Sequence, residues 1–226
     1  MLHIELKNQD EMKNWIDSQQ WYQTIRLSNG LVTPGKFDSR KRLKFLSDED
    51  LSSKSVLDIG CNSGFYCLWA KKKGASRVVG IDIDKNRLQQ ARILTGIEQL
   101  DIEYYEKSIH DIANWKRFDI VLCFAVLTEI KDILGTLEIL KNVIGQKAYV
   151  EIALAKPLLY LSLSRHWLKE IIKKRHVNDV CEIRHTKAGP VISPSLRMLK
   201  SIFAGEFSVV YHGKGLRYDV ITIERL

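Results

Sequence analysis

A chain of 226 residues is long enough for one α/β domain with a full core and an appendage, and short for two independent enzymatic domains. Its hydrophobic share of 45% and charged share of 27% are typical of a globular protein, and no apolar run is long enough to span a bilayer. The formal net charge of +8 favours an acidic partner, such as a nucleic acid or a phosphorylated metabolite.

The N-terminus and the cysteines indicate a reducing compartment. The opening segment, "MLHIELKNQDEMKNW", is charged and lacks the apolar core of a secretory signal, so we expect a cytoplasmic protein that does not enter a membrane. The cysteines lack paired metal-ligand spacing, which predicts reduced thiols, no disulfide framework and no metal site. They are Cys61, Cys67, Cys123 and Cys181.

Residues 1–50 predict a mixed helical and loop extension in front of the main domain. Two turn signals, "SNG" and "VTPG", fold this segment back on itself. We therefore expect a small lid anchored by Trp21 and Tyr22. The two aromatic rings either contact a ligand or form the core of the extension.

From Ser55 onward, short apolar runs alternate with amphipathic segments, which predicts βαβ units and a parallel sheet. The predicted strands are Ser55–Ile59, Arg77–Ile81, Ile102–Glu106, Phe118–Phe124 and Lys147–Leu154. The predicted helices are Phe65–Lys73, Lys85–Thr95 and Lys131–Val143.

The chain changes character after Pro157. Residues 157–205 contain a long, basic, amphipathic stretch that predicts a helical insert, and a further helix is expected to begin at Ser193 or Pro194. The last segment predicts two strands joined through "HGKG", a hairpin signal. We expect a parallel sheet that is completed by an antiparallel hairpin.

The stretch "SVLDIGCNSGFYCLWAKKKGASRVVGIDID" contains a glycine-rich turn between the first strand and the first helix of the sheet. Gly60 and Gly64 flank this turn, and a side chain at Gly60 would obstruct a ligand that approaches the backbone. We expect the backbone amides of Ser63–Phe65 to face outward at the start of the helix and to form a shelf for the ligand.

Two acidic residues indicate which ligand this is. Asp82 ends the second strand, where a carboxylate accepts hydrogen bonds from both hydroxyls of an adenosine ribose. Asp58 precedes the turn, where an anion repels phosphates and suits an ammonium group. A ligand with a ribose, an ammonium group and no phosphates is S-adenosylmethionine.

The turn resembles the first motif of class I methyltransferases, with an asparagine in place of the usual central glycine. Asparagine tolerates the left-handed backbone that such a turn requires. The resemblance covers residues 51–226 and implies a Rossmann-like, seven-stranded α/β sheet in three αβα layers, with its last strand reversed. The motif is carried by Asp58, Gly60, Asn62 and Gly64, and Asp82 matches the ribose-binding acid.

The same resemblance implies the remaining contacts. In this family an acid near the third strand often meets the adenine, and the matching run "EKSIHDI" offers the Ser108 hydroxyl or the Ile109 amide instead. "FDIVLCFAVLTEI" resembles the fourth motif, whose trailing loop lines the methyl-acceptor side. The further residues expected at the cofactor are Cys61, Ile83 and Phe124, and those expected at the acceptor are Ala125, Val126 and Thr128.

A narrower resemblance lies upstream. "WYQTIRLSNGLVTPG" is similar to a segment of the tRNA wobble-uridine methyltransferase and carboxymethyltransferase group. In the carboxymethylating members a tyrosine and two basic residues hold the extra carboxylate. Here the matching positions offer Thr128 and Arg217 alone, so the resemblance implies ordinary S-adenosylmethionine.

Methyl transfer requires little chemical participation by side chains, because the protein mainly holds a nucleophile in line with the methyl group and excludes water. A general base is needed only where the acceptor must lose a proton. The candidates are His110, Glu129 and Glu151, with His212 ranked after them. Glu129 has an alternative role as the cap of the following helix.

The basic insert bears on the identity of the acceptor. Arg165, Lys169, Lys173 and His176 recur at three- or four-residue steps, so one face of a helix here would be basic. Such a face suits an RNA backbone, with Trp167 available to stack on a base. Alternatively, it is a solvated face on a helix whose apolar side covers the active site.

Three functions follow. A methyltransferase that acts on an oxygen or nitrogen of a small molecule is preferred, since the chain lacks a recognisable RNA-binding module; it predicts an enclosed, apolar acceptor pocket. An RNA methyltransferase predicts an open cleft and salt-sensitive RNA binding. A non-catalytic nucleoside-binding protein predicts cofactor binding without a methylated product. The sequence specifies no oligomeric state.

Overall fold

The computed structural model describes residues 8–155, 182–186 and 189–226. The chain divides into two compact units, Met1–Asp111 and Ile112–Leu226. No helix in the described part of the chain is long and apolar enough to cross a membrane.

The first unit begins with the extension. Its helix α1 is Gln9–Ser18, and a 3₁₀ helix follows at Ser39–Phe45. The predicted "SNG" turn is present, because the Leu27 amide donates to the Leu31 carbonyl over 2.9 Å. The strands and helices of the sheet are β1 (Ser55–Ile59), α2 (Phe65–Lys72), β2 (Arg77–Asp82), α3 (Lys85–Ile97) and β3 (Glu103–Glu106).

The three strands of this unit are parallel, with β2 between β1 and β3. The apolar side chains of β1 and β2 are buried, as expected for strands that are covered on both faces, whereas Tyr105 of the edge strand β3 is exposed. The register pairs Ile59 with Ile81, so the glycine turn that leaves β1 lies beside Asp82 at the end of β2.

The second unit contains β4 (Phe118–Phe124), a 3₁₀ turn (Leu127–Glu129), α4 (Ile133–Val143), β5 (Ile144–Ile152), β6 (Glu182–Thr186), β7 (Gly189–Ser193), α5 (Leu196–Phe203), β8 (Phe207–Lys214) and β9 (Asp219–Arg225). Strand β5 is parallel to β4 and antiparallel to β9, which pairs with β8. Strands β6 and β7 form a separate antiparallel pair.

Seven strands belong to one mixed sheet in the order β3-β2-β1-β4-β5-β9-β8, which confirms the predicted fold class. The β1 and β4 boundaries agree with the predicted strands, and the other predicted elements of the parallel part differ by one to three residues at their ends. Such shifts are expected, because helix and strand ends depend on local hydrogen bonds rather than on the apolar pattern.

The position of the last turn differs from the prediction. The "HGKG" segment does not form the turn, because its residues up to Lys214 continue β8. Gly213, with φ of 107°, instead accommodates a shift of register within the strand. The turn lies at residues 215–218, where the Gly215 amide donates to the Tyr218 carbonyl over 2.7 Å.

The insert also differs from the helical prediction. Residues 182–186 and 189–193 of the insert form the antiparallel strand pair β6–β7, consistent with the β-branched residues in "EIRHT" and "GPVIS". The next helix begins at Leu196 and is capped by Ser195, slightly later than predicted. The predicted basic face, made of Arg165, Lys169, Lys173 and His176, lies outside the described residues, as do Trp167 and Cys181.

Candidate cofactor and active site

The glycine turn holds three residues in the left-handed region of backbone space. Gly60, Asn62 and Gly64 have φ angles of 72°, 52° and 84°. The expectation that Asn62 tolerates this conformation is confirmed. The amides of Gly60 and Cys61 both donate to the Ile81 carbonyl, over 2.8 and 2.9 Å, so the turn is fixed against the end of β2.

The amides at the start of α2 do not form the expected open shelf. Each of the three has a partner within the protein, because a buried amide without a hydrogen bond is costly. The Ser63 amide donates to Asn62 Oδ1 (2.9 Å), that of Gly64 to the Cys61 carbonyl (2.9 Å) and that of Phe65 to Gln23 Oε1 (3.4 Å).

Asp82 lies at the end of β2 with its carboxylate held on both sides. Oδ2 accepts from the Asn62 amide at 2.8 Å, and Oδ1 accepts from the Asp84 amide at 2.9 Å. Each carboxylate oxygen can accept more than one hydrogen bond, so both retain capacity for a ribose hydroxyl. The adjacent Ile83 is 74% exposed and presents an apolar surface beside this carboxylate. These residues fit the ribose and adenine of a nucleoside cofactor.

Asp58 is buried beneath the turn. The thiol of Cys67 donates to its Oδ2 over 3.5 Å. The pKa of Asp58 is raised to about 7, chiefly because burial disfavours the charged form. The Cys67 hydrogen bond opposes this rise, the charge of Asp82 adds to it and the charge of Arg42 opposes it. A cationic ligand group at this position would stabilise the ionised carboxylate.

Arg42 is a candidate site residue that the sequence analysis missed. It lies on the 3₁₀ helix of the extension, is only 6% exposed, and donates from Nη1 to the Tyr66 hydroxyl at 3.4 Å. Tyr66 in turn donates to the Ser39 carbonyl at 3.0 Å. The three-residue period of a 3₁₀ helix, which places Ser39 and Arg42 on one face, is the signal that could have distinguished Arg42 from its exposed basic neighbours.

The predicted adenine contacts lie after β3. The amide and the hydroxyl of Ser108 both donate to Asp111 Oδ2, over 2.7 and 2.8 Å. The hydroxyl therefore has its proton engaged and offers a ligand an acceptor only. Ile109 is buried, whereas His110, a candidate base, is exposed.

The predicted lid aromatics are packed within the extension. Trp21 is buried, and its indole donates to the Ile16 carbonyl over 2.7 Å, with the Trp15 ring in an edge contact at 5.6 Å. Tyr22 is half-buried against Phe37, with ring centroids 4.5 Å apart. This placement favours the alternative in which these rings form the core of the extension.

In the second unit, the loop after β4 has a strained residue at its start. Ala125 follows the buried Phe124 and has a φ of 62°, a conformation that costs an L-residue about 1–2 kcal/mol. Its amide donates to the Glu151 carbonyl at 3.0 Å. Strain of this kind is concentrated at functional sites, consistent with the acceptor-side position predicted for Ala125.

The remaining groups of this loop are turned inward or face solvent. The hydroxyl of the buried Thr128 donates to the Ala125 carbonyl at 3.2 Å. Glu129 is exposed and does not cap the following helix; the cap of α4 is Asp132, which accepts from the Gly135 amide. The alternative role for Glu129 as a helix cap is therefore wrong.

Glu151 has a structural task at the end of β5. It is 0% exposed, and its Oε1 accepts from the amides of Arg217 and Tyr218 at 2.9 and 3.3 Å. Arg217 itself is exposed, with its guanidinium 5.7 Å from the centre of the Tyr218 ring. His212 is also exposed, and its Nε2 lies 3.0 Å from a threonine hydroxyl of β9. The described residues contain no cluster of three or more histidine, cysteine or acidic side chains that could hold a metal ion.

Known proteins resemble the chain in sequence. A ribosomal protein L11 methyltransferase of Fusobacterium nucleatum is 30% identical over 135 residues, which are 58% of this chain and 40% of that protein. A ubiquinone biosynthesis O-methyltransferase of Neisseria meningitidis serogroup C is 26% identical over 168 residues, 71% of this chain and 66% of that protein. A tRNA U34 carboxymethyltransferase of Campylobacter lari is 24% identical over 148 residues, 64% and 51% of the two chains. The chain thus spans less than two thirds of the length of these relatives.

Solved structures resemble it in fold. The N-terminal domain of EvdMO1, crystallised with S-adenosylhomocysteine, has a TM-score of 0.70 at 14% identity, with 97% of this chain and 98% of that chain covered. The family model described as "Methyltransferase domain" matches residues 37–197, more than half of the chain. The predicted resemblance of the chain to class I S-adenosylmethionine-dependent methyltransferases is thereby confirmed, and the chain belongs to the methyltransferase-domain family.

Proposed function

We propose that this protein transfers a methyl group from S-adenosylmethionine to an oxygen or nitrogen of a small-molecule acceptor. The observation that carries the cofactor assignment is the Asp82 carboxylate, held by two backbone amides beside the glycine turn. Because the carboxylate is fixed in this way, the lone pairs that remain on its two oxygens have a defined direction. Two neighbouring ribose hydroxyls require such an acceptor.

The amino-acid end of the cofactor needs one anion and one cation. Asp58 supplies the anion for the ammonium group, and Arg42 supplies the cation for the carboxylate. Both side chains are buried in the first unit, and the charge of Arg42 acts on Asp58, where it slightly opposes the rise in pKa that burial causes. Because charge-assisted hydrogen bonds are about twice as strong as neutral ones, this pair would favour a zwitterionic ligand over a simple nucleoside.

When bound, S-adenosylmethionine supplies a methyl group made electrophilic by its sulfonium. The residues of this chain bind it, fix its orientation and exclude water, and this positioning accounts for most of the rate. A general base is not required for an acceptor that is already nucleophilic. The buried Glu151 carboxylate binds backbone amides, which supports a structural role over that of a base.

The loop after β4 supports a small acceptor. Its Thr128 hydroxyl is satisfied by the Ala125 carbonyl, so the half-buried residues Ala125 and Val126 offer an apolar surface. Pockets for small molecules are lined mainly by such apolar groups. Strand β7 of the insert lies next to the Leu127–Glu129 turn, and would help to enclose an acceptor there. The ubiquinone biosynthesis O-methyltransferase is a relative whose name describes a small-molecule pathway.

An RNA acceptor is the second candidate, favoured by the formal charge of +8 and by the similarity to a tRNA U34 carboxymethyltransferase. It would require a basic surface that follows the phosphate backbone. Thr128, in place of the tyrosine of the carboxymethylating members, supports transfer of an ordinary methyl group in this case too.

Titration calorimetry with S-adenosylhomocysteine tests the cofactor assignment. We expect Asp82→Asn to weaken binding about 10- to 30-fold, because the charged acceptor of the ribose is lost. Asp84→Asn is the matched control, since asparagine caps a helix as well as aspartate does and α3 keeps its cap. Equal affinity of both variants and the wild type would show that the ribose lies elsewhere.

The same titrations with bulk tRNA, at low and at high salt, separate the acceptors. A small-molecule enzyme binds S-adenosylhomocysteine but shows no salt-sensitive tRNA binding, and tight salt-sensitive binding would move RNA to first place. Binding of the cofactor without methylation of any acceptor tested would favour a nucleoside-binding protein over an enzyme.

A further inference from the structure

Gln90 contacts the extension and the cofactor turn with one side chain. It lies on α3 and is 5% exposed. Its Oε1 accepts from the Ser63 hydroxyl at 2.8 Å, and its Nε2 donates to the Gln20 carbonyl at 3.0 Å. Ser63 belongs to the turn and Gln20 to the extension, so the amide group of Gln90 is bonded to both segments.

On the side of the turn, the contact continues to the candidate ribose site. The fully buried Ser63 shares its hydroxyl proton between Gln90 and Asn62 Oδ1, which lies 3.1 Å away. The Asn62 amide donates to Asp82 Oδ2. A displacement of the Gln90 side chain would therefore change the surroundings of Asn62, which holds the Asp82 carboxylate.

On the side of the extension, the Gln20 carbonyl is held by two donors. Nη1 of Arg87 donates to it over 2.7 Å, in addition to Gln90 Nε2. The next residue, Trp21, is anchored to α1 through its bond to the Ile16 carbonyl. The two bonds to the Gln20 carbonyl therefore hold the extension against α3, and we call this arrangement the docked extension.

The chemistry of this position requires an amide. A glutamine both accepts and donates, whereas a glutamate only accepts and a hydrophobic side chain does neither. We propose that Gln90 is a positioning residue that couples docking of the extension, of which residues 8–50 are described, to occupation of the cofactor turn, residues 60–64. This inference rests on the proposed binding of S-adenosylmethionine.

Such coupling has a reciprocal consequence. If docking of the extension strengthens cofactor binding, then cofactor binding strengthens docking by the same factor. The extension would then act as a wall of the site that becomes more firmly held when the site is filled.

The test uses the full-length protein and S-adenosylhomocysteine. Gln90→Glu removes the donor to Gln20, and Ser63→Ala removes the bond to the turn while leaving the extension contact in place. Gln89→Glu is the matched control, because the neighbouring glutamine is exposed. The readouts are the dissociation constant by calorimetry and the hydrogen exchange of the extension amides with and without ligand.

In the wild type, we expect the ligand to slow exchange in residues 20–37. Both Gln90→Glu and Ser63→Ala should weaken binding about 3- to 10-fold and lose the ligand-dependent slowing. Ser63→Ala alone should keep wild-type exchange in the absence of ligand, and Gln89→Glu should match the wild type throughout.

Unchanged affinity and unchanged ligand-dependent slowing in either folded variant would overturn the coupling while leaving the cofactor assignment intact. Absence of binding by the wild-type protein would instead overturn the cofactor assignment, and the coupling with it. Urea denaturation of each variant verifies that it is folded, and Ser63→Ala keeps the test decisive if Gln90→Glu is unstable.

Discussion

Arg42 is a charged side chain held away from solvent, so its surroundings determine what it contributes. An arginine keeps its charge in a protein, and taking that charge out of water costs free energy unless nearby groups compensate. The Tyr66 hydroxyl and the charge of Asp58 provide part of that compensation. A ligand carboxylate would provide more, which is why we assign Arg42 to the amino-acid end of the cofactor.

Arg42→Met should weaken S-adenosylhomocysteine binding about 10- to 100-fold, the equivalent of about 1.5–3 kcal/mol for a hydrogen bond to a charged group. Binding of 5′-methylthioadenosine, which lacks the amino-acid end, should stay within about 2-fold of the wild type because it makes no use of that bond. Calorimetry with the two ligands measures both effects.

The neighbouring Arg40→Met is the control for this prediction. The Arg40 side chain is 46% exposed and forms an ion pair with Asp38, so its loss should change neither affinity. An equal loss of both ligands in Arg42→Met would mean that the substitution disturbs the turn and that the arginine does not contact the amino-acid end.

At the residue scale, the sequence predicted a backbone conformation that depends on neighbouring residues alone. Asn62 was expected to adopt a left-handed conformation and does so. Arg42 was not singled out, because four of the five residues Arg40–Lys44 are basic and composition does not tell which of them is buried. Its burial depends on Tyr66, a residue 24 positions away in the chain.

At the scale of elements, Glu151 connects the end of β5 to the turn between β8 and β9. Its carboxylate accepts from two amides of that turn. Gly215 lies so close that a Cβ atom there would collide with Oε1 of Glu151. The antiparallel hairpin is therefore joined to β5 both through the strand ladder and through this buried carboxylate.

Glu151→Gln should keep the free energy of unfolding within about 1 kcal/mol of the wild type, because the amide oxygen still accepts from Arg217. Glu151→Leu should lower it by about 2–3 kcal/mol, since two backbone amides lose their acceptor. Urea denaturation of the two variants measures the difference. A large loss of turnover in Glu151→Gln at unchanged stability would instead assign the carboxylate a role as general base.

The order of strands and helices was predictable, because buried parallel strands are continuous apolar runs and surface helices keep a 3.6-residue period. The last turn was not, because a glycine in a strand and a glycine in a turn look alike in sequence. Gly213 lies where the register between β8 and β9 shifts, while Gly215 begins the turn beside Glu151. The helical prediction for the insert was wrong in residues 182–186 and 189–193, because short segments with β-branched residues fit either a strand or a helix face.

At the scale of the whole molecule, Asp58 links stability to pH. Its folded-state pKa of about 7 lies above the ordinary value of 3.8 because burial disfavours the charged form. Between these values the folded protein retains a proton that the unfolded chain has released. The contribution of Asp58 to stability is thus fully present below about pH 4 and is lost as the pH rises through about 7.

We therefore expect this group alone to lower the free energy of unfolding by about 3 to 4 kcal/mol as the pH rises from about 4 to about 8. Asp58→Asn removes the titration, so the difference between wild type and variant should change with pH in that direction. Urea denaturation across this pH range measures it, with the exposed Asp101→Asn as a control. Parallel pH profiles for wild type and Asp58→Asn would contradict the assignment.

The sequence by itself determined the α/β architecture, the glycine turn with its acidic residues, and through them the family and its cofactor. These features depend on short stretches of sequence, in which residue spacing and backbone preference are sufficient to predict them. Only the tertiary structure decided that the amides of the turn are already bonded, that Arg42 is buried near Asp58, and that Gln90 joins the turn to Gln20. Such facts depend on which distant segments meet, because burial and hydrogen-bond partners are properties of the packed chain.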